Sequence, residues 1–243
     1  MKTVAVLLLT LLSGGCILID VDDTRTITFA GYSWQVKDGY LAPGKNHFSD
    51  SESNVFVDSS GGLHLKIEQR NGTWYTSEVI AHRALGYGRY LFQVAGRIDQ
   101  LDPQMVLGLF TWDTDPAAHH REIDFEFSRW GNQDTTENAQ YVVQPFDVTV
   151  PQHKYEFNLS LTGDFTTHVL HWNAGELHFE TYGGHHSLVD LPDSPLQEWT
   201  YTGQPPTPGN AKVRMNFYLY RGEAPHNSTG QELVIKDFQF SSN

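Results

Sequence analysis

A single cysteine, Cys16, stands among 243 residues. With one thiol the chain has no intrachain disulfide and no zinc site built on several thiolates. Positive charge is also scarce: 16 lysines and arginines face 29 aspartates and glutamates, a formal net charge of −13. Such a chain repels nucleic acid and anionic lipid head groups, so no nucleic-acid role is expected. Apolar periodicity of the helical kind is missing from every stretch of twelve residues, which removes the helical fold classes. No Gly-x-Ser-x-Gly occurs, which argues against a serine esterase. Gly86-Tyr87-Gly88-Arg89 opens no helix and is not a phosphate-binding loop. Present in quantity are glycine (21), phenylalanine (14), tyrosine (11) and tryptophan (6), while charged residues are 19%. That mixture suits an extracellular all-β protein.

The N-terminus is not part of the fold. Lys2 supplies a positive start, and Val4 to Leu12 is an apolar run too short to span a bilayer. Ser13-Gly14-Gly15-Cys16 follows, and this arrangement resembles a bacterial lipoprotein signal, in which the thiol is acylated and Cys16 becomes the first residue. Residues 1–15 are then the signal peptide, 16–25 a tether, and 26–243 the domain. Two or more acyl chains anchor stably, since each buried CH₂ contributes roughly 0.8 kcal/mol. Ile17 lacks the acidic residue that retains some lipoproteins at the inner membrane, so the outer membrane or cell surface is expected.

From Thr26 onward the pattern is strands and turns. Leu63, Leu65 and Ile67 alternate with His64, Lys66 and Glu68, and Asn71-Gly72 marks a hairpin before Trp74 to Ile80. Further strands are predicted over Tyr87 to Val94, Met105 to Trp112, Glu122 to Phe127, Ala139 to Gln144 and Tyr155 to Leu161. Thr167 to Trp172 and Leu177 to Tyr182 form a second hairpin, and Lys212 to Tyr220 and Glu232 to Phe240 close the chain. Short strands at close spacing with no internal repeat predict one antiparallel β-sandwich domain.

Chemistry concentrates in Glu122-Ile123-Asp124-Phe125-Glu126-Phe127. On a strand, alternate side chains share a face, so Glu122, Asp124 and Glu126 point one way and Ile123, Phe125 and Phe127 point into the core. Successive acids are spaced roughly 6.7 Å along the strand. Three like charges in a row repel, so at least one is expected to titrate high. One ionised and one protonated carboxyl are what glycoside hydrolysis requires. The alternative is an exposed acidic strand face, or one bound to calcium. Phe110 and Trp112 precede the row and Trp130, Tyr141 and Phe146 follow it; sugar rings stack their C–H faces on such side chains, although core packing is the bland role for each. Arg121 and Arg129 are candidates to pair with the acids. His119-His120 and His185-His186 are adjacent pairs that, on a strand, face opposite ways, so no shared metal is expected.

Glu-Ile-Asp-Phe-Glu resembles the signature of family 16 glycoside hydrolases, which include laminarinases, lichenases, agarases and carrageenases. Leu109-Phe110-Thr111-Trp112, Ser77-Glu78, Thr166 to Trp172, Met215-Asn216-Phe217-Tyr218 and Lys236-Asp237-Phe238 resemble other strands of that family. The likeness spans roughly Ile27 to Phe240. It implies a jelly roll of two curved antiparallel sheets with the substrate cleft across the concave one. It also implies Glu122 as nucleophile, Asp124 as its assistant and Glu126 as acid/base. Glu78, Phe110, Trp112, Trp130, Gln140, Asn216 and Tyr218 are the expected substrate-binding residues. No cofactor is expected, although the resemblance allows a structural calcium at Asp237. The implied activity is retaining, endo-acting hydrolysis of a polysaccharide, foremost a β-glucan, by a monomer. An inactive carbohydrate-binding lipoprotein and a transglycosylase are the rival readings.

Overall fold

The computed structural model describes residues 24–146 and 151–242. The signal peptide, Cys16 and all but the last two residues of the expected tether lie outside the described residues. No described helix is long and apolar enough to cross a membrane. The first strands are short: β1 (Thr26–Phe29), β2 (Tyr32–Val36), β3 (Gly39–Leu41), β4 (Asn46–Phe48) and β5 (Val55–Val57). Then come β6 (Leu63–Arg70), β7 (Thr73–Ala81), β8 (Gly88–Ala95), β9 (Met105–Trp112), β10 (Ile123–Phe127) and β11 (Ala139–Val143). The series ends with β12 (Lys154–Phe157), β13 (Phe165–Trp172), β14 (Leu177–Gly183), β15 (Gln197–Thr200), β16 (Lys212–Leu219) and β17 (Gln231–Ser242).

Two antiparallel sheets result. One runs β1-β2-β7-β16-β9-β10-β11-β12. The other runs β5-β6-β17-β8-β13-β14-β15. Strands far apart in sequence lie side by side, β7 with β16 and β6 with β17, which is the winding of a jelly roll. The β6–β7 hairpin passes between the sheets. Its turn is Asn71-Gly72, with φ of 50° and 85°, the doubly left-handed geometry that Asn-Gly favours.

Alternation along each strand builds the core. Trp34, Phe125, Phe127, Met215 and Phe217 of the first sheet meet Tyr90, Phe92, Trp172, Phe179 and Phe238 of the second, all buried. Phe125 packs edge-on against Phe179 at 5.1 Å and against Phe92 at 6.4 Å. In β17 a bulge between Ile235 and Asp237 shifts the register, so Leu233, Ile235 and Phe238 are all buried despite uneven spacing.

Two sequence expectations change here. Pairing of the strand predicted over Tyr155 to Leu161 stops at Phe157. Side chains replace the ladder beyond it: Asn138 Nδ2 donates to Leu159 O at 3.0 Å, Leu159 N donates to Asn138 Oδ1 at 2.7 Å, and Leu161 N donates to Asp99 Oδ2 at 3.1 Å. Leu159 and Leu161 are still buried, which is why their pattern reads as strand. His119-His120, in turn, is not on a strand. Both residues lie in a short turn over Pro116–Arg121 with φ of 48° and 58°.

Phe125→Ala removes the ring at the centre of the inter-sheet contact. It is expected to destabilise the domain by about 3–5 kcal/mol, read as a lower urea midpoint at unchanged slope.

Candidate active site

Because Ile123, Phe125 and Phe127 are drawn into the core, Asp124 and Glu126 project from the opposite face of the sheet. Glu122 stands one residue before β10 in extended backbone (φ −82°, ψ 126°) and continues the same face. Direct partners across antiparallel strands share a face. One row therefore runs Glu78, Asn216, Gly108, Glu126, Gln140 from β7 to β11. The next holds Arg214, Phe110 and Asp124. The acids open into a cleft of about 440 Å³, whose lining includes Glu78, Phe110, Trp112, Asn216 and Tyr218. Leu41, the last residue of β3, and Ala42 and Pro43 beyond it form part of its wall.

Burial raises all three carboxyls of the row, and repulsion from neighbouring acids adds to it at Glu122 and Asp124. Asp124 is buried and sits between two glutamates, so its carboxyl is held well above the ordinary range. Glu122 is pushed up to about 7 by burial and then by Glu126, while His120 and Arg214 pull it down and Glu78 raises it further. Glu126 is also raised by burial, against the pull of Gln140, Lys154 and Tyr218. The Gln140 amide and the Tyr218 hydroxyl both donate to Glu126. Burial and the acids push the Tyr218 hydroxyl up, so it remains a donor at neutral pH. Thus the expectation that at least one acid titrates high is met by all three.

A second group of charges sits in the same cleft. Glu78 is fully buried. Its Oε2 accepts from Lys37 Nζ at 2.7 Å and its Oε1 from Arg214 at 2.9 Å. The Arg214 guanidinium lies over the Trp112 ring, 4.2 Å from its centroid. His120 stacks on the same ring at 4.8 Å, with 8° between planes. The strained turn before Glu122 is pinned by Arg121, which donates to Asp113 at 2.8 Å and Asp115 at 3.2 Å. Its carbonyl accepts from Thr111 Oγ1 at 2.9 Å.

Several expected roles move. Arg121 pairs with Asp113 and Asp115, not with the acid row, because its left-handed backbone turns the side chain away. Trp130 lies outside the cleft lining, its amide donating to Ser128 Oγ at 2.9 Å. Gln140 acts on Glu126 directly. Tyr141 is a core residue, packed on Phe125 and Phe179, with its hydroxyl donating to Thr181 at 2.8 Å. His168 is fully buried against Phe125 and Phe127, and burial pushes its imidazole down to about 3. Asp237 accepts from Gln239 Nε2 at 2.8 Å and from Phe238 N at 2.9 Å. Among the described residues no group of three or more His, Cys, Asp or Glu is arranged to hold a metal ion.

Lys37, Gly108, Arg214 and the Leu41–Pro43 wall are cleft residues that the sequence reading missed. Two carried a signal. Arg214 alternates with Asn216 and Tyr218, and Gly108 interrupts an apolar strand, a mark of close approach. A Cβ on Gly108 would stand 2.5 Å from Asn216 Oδ1. That oxygen is buried and has no hydrogen-bond partner within the protein.

The fold has structural counterparts. The β-glucanase of Bacillus licheniformis superposes with a TM-score of 0.62 at 21% identity, covering 86% of this chain and 92% of that one. The pseudo β-1,3-glucanase of Mycobacterium tuberculosis, an immunostimulatory antigen, gives 0.64 at 19%, covering 86% and 91%. The chain has their fold. A β-1,3-1,4-glucanase (lichenase) from a mouse hindgut metagenome gives 0.59 at 21%, covering 86% and 93%. No protein-family profile matches the sequence, and no curated protein matches it.

Two outcomes follow from the packing and charge of this cleft. Gly108→Ala forces Asn216 aside and is expected to destabilise by about 1–3 kcal/mol, measured by urea unfolding. Asp124 has a folded-state pKa above its unfolded one, so the native state binds the extra proton and stability falls as pH rises toward that folded value. Asp124→Asn removes this penalty. Its Tm is expected to exceed wild type by roughly 2 °C or more at pH 8, with the gain vanishing below about pH 4, the unfolded aspartate value.

Proposed function

We propose that this chain is a family 16 glycoside hydrolase, a retaining and endo-acting enzyme on β-glycosidic bonds of a polysaccharide, foremost a β-glucan. The observation that carries this reading is the row Glu122, Asp124, Glu126 on one face of one cleft, with every carboxyl driven up by burial and those of Glu122 and Asp124 raised further by their acidic neighbours. A solvated acidic face gives no such shifts. The motif resemblance and the fold shared with β-glucanases support it.

In this reading Asp124 keeps its proton, so the row needs only one anion. Glu122, as carboxylate, attacks the anomeric carbon. Glu126, as acid, gives its proton to the departing glycosidic oxygen. Glu126 then takes a proton from water, whose oxygen displaces Glu122 from the glycosyl ester, and two inversions give net retention. The Gln140 amide and the Tyr218 hydroxyl keep the Glu126 carboxyl oriented through both steps. The unpartnered Asn216 Oδ1 is an acceptor for a sugar hydroxyl. Because His120 and Arg214 already engage the Trp112 ring, Phe110 beside Asp124 is the more favourable stacking platform. Acylation at Cys16 would hold a monomeric domain at the outer membrane or cell surface.

One comparison favours a second reading, an inactive carbohydrate binder: a neighbour of similar fold is described as a pseudo β-1,3-glucanase. Transglycosylation would use the same glycosyl-enzyme. Reducing-sugar release on laminarin and lichenan separates these. Wild type is expected to cut at least one, with the β-anomer appearing first by proton NMR, and Glu122→Gln to lose roughly 10³-fold or more. Retardation in an affinity gel without cleavage supports the binder. Chain transfer to an added oligosaccharide, in place of new reducing ends, supports the transglycosylase.

A further inference from the structure

Arg214 is a cation among carboxylic acids, and it is immobilised. Its guanidinium donates to buried Glu78 at 2.9 Å and lies 4.2 Å over the Trp112 ring. Glu78 is itself fixed from the other side by Lys37 at 2.7 Å, and Lys37 Nζ also donates to Ala42 O at 2.6 Å. Trp112 is fixed by His120, the second residue before Glu122. A continuous chain of contacts, Lys37–Glu78–Arg214–Trp112–His120, therefore spans the cleft and ends at the turn that delivers Glu122. Its parts come from β7, β9, β16, the segment after β2 and the turn before β10. Few of the contacts are needed for packing, since the core lies on the opposite face of the sheet.

We propose that Arg214 is a positioning residue of the reaction: clamped by Glu78 and Trp112, its guanidinium holds Glu122 in the charged state that attack requires. The inference rests on the hydrolase reading and deepens it by naming what activates the nucleophile. Besides the Tyr218 hydroxyl and Lys212, which pairs with Trp112 on the cleft face of β16, the charged and titratable groups around Glu122 are these. Asp124 and Glu126 on its own strand and Glu78 on β7 oppose its ionisation, while Arg214 on β16 and His120 in the preceding turn favour it. Lys37 stands behind Glu78 and offsets its charge. Arg214 lines the same cleft as Glu122 and lies over Trp112, and unlike His120 it is a permanent cation. Without it, Glu122 would be surrounded by acids in a desolvated site and would hold its proton to higher pH. The clamp matters because a free arginine would ion-pair directly with Glu122 and cover the nucleophile. Glu78 and Trp112 keep its charge near while engaging its donors elsewhere.

The test is a carbon-13 NMR titration of the Glu122 carboxyl, assigned by its loss in Glu122→Gln, beside pH profiles of kcat/KM. Wild type is compared with Arg214→Met, which retains volume over Trp112, and Arg214→Lys, which retains charge. Removing the cation raises the Glu122 midpoint. In Arg214→Met the midpoint and the acidic limb of kcat/KM are expected to rise together by about one pH unit, a tenfold loss on that limb. Arg214→Lys is expected to restore most of both. An unmoved midpoint in Arg214→Met overturns the proposal, as does a change confined to KM, which would make Arg214 only a sugar contact. If Arg214→Met does not fold, Arg214→Gln carries the same comparison. A wild type that cleaves no polysaccharide sinks the hydrolase reading instead, and the titration is independent of that result.

Discussion

Three carboxylic acids crowded on five residues of chain repel one another, and the site depends on keeping them together out of water. The force that does so is burial of Ile123, Phe125 and Phe127 on the other face of β10. Each buried side chain contributes roughly 1.5–3 kcal/mol. The acids cannot relieve their repulsion by turning the strand, because a one-residue slip would exchange them with the core. They relieve it by holding protons. A raised carboxyl pKa here is the electrostatic expression of a hydrophobic register.

Around that strand the sheet supplies a different environment for each glutamate. Glu126 accepts from two neutral donors, the Gln140 amide and the Tyr218 hydroxyl, that orient its carboxyl, with the Lys154 cation acting without a hydrogen bond. Glu122 meets cationic Arg214 and the His120 imidazole. Two identical side chains four residues apart thereby acquire different surroundings, and the proposed hydrolase reading uses that difference to divide acid from nucleophile. Gly108 sits between these halves, and its missing side chain leaves room for Asn216 at the level of Glu126.

The turn before Glu122 shows where such a site stores strain. His119, His120 and Arg121 are three successive non-glycine residues with φ of 48°, 58° and 49°. Such backbone is unfavourable for L-residues. It is held by Arg121 on Asp113 and Asp115, by Thr111 on the Arg121 carbonyl, and by the stack of His120 on Trp112. The turn aims the chain so that Glu122, the residue before β10, already faces the cleft.

Local pattern was enough to read the strands, the Asn71-Gly72 turn, the shared face of Glu122, Asp124 and Glu126, and the inward set beneath them, because period-two alternation is a property of the strand itself. Glu78, Phe110, Asn216 and Tyr218 were legible through motif likeness, and they line the cleft. Sequence did not tell cleft from core for Tyr141, since both kinds of position are buried and both accept aromatic side chains. Nor could it place Trp130 or direct Arg121 to Asp113 and Asp115. The link from Lys37 through Glu78 to Arg214 joins positions 41 and 136 residues apart. Only the jelly-roll winding, which lays β16 between β7 and β9, brings them to the acids. Alternation is fixed by neighbours along the chain, whereas the charge each carboxyl carries is fixed by neighbours across the sheet.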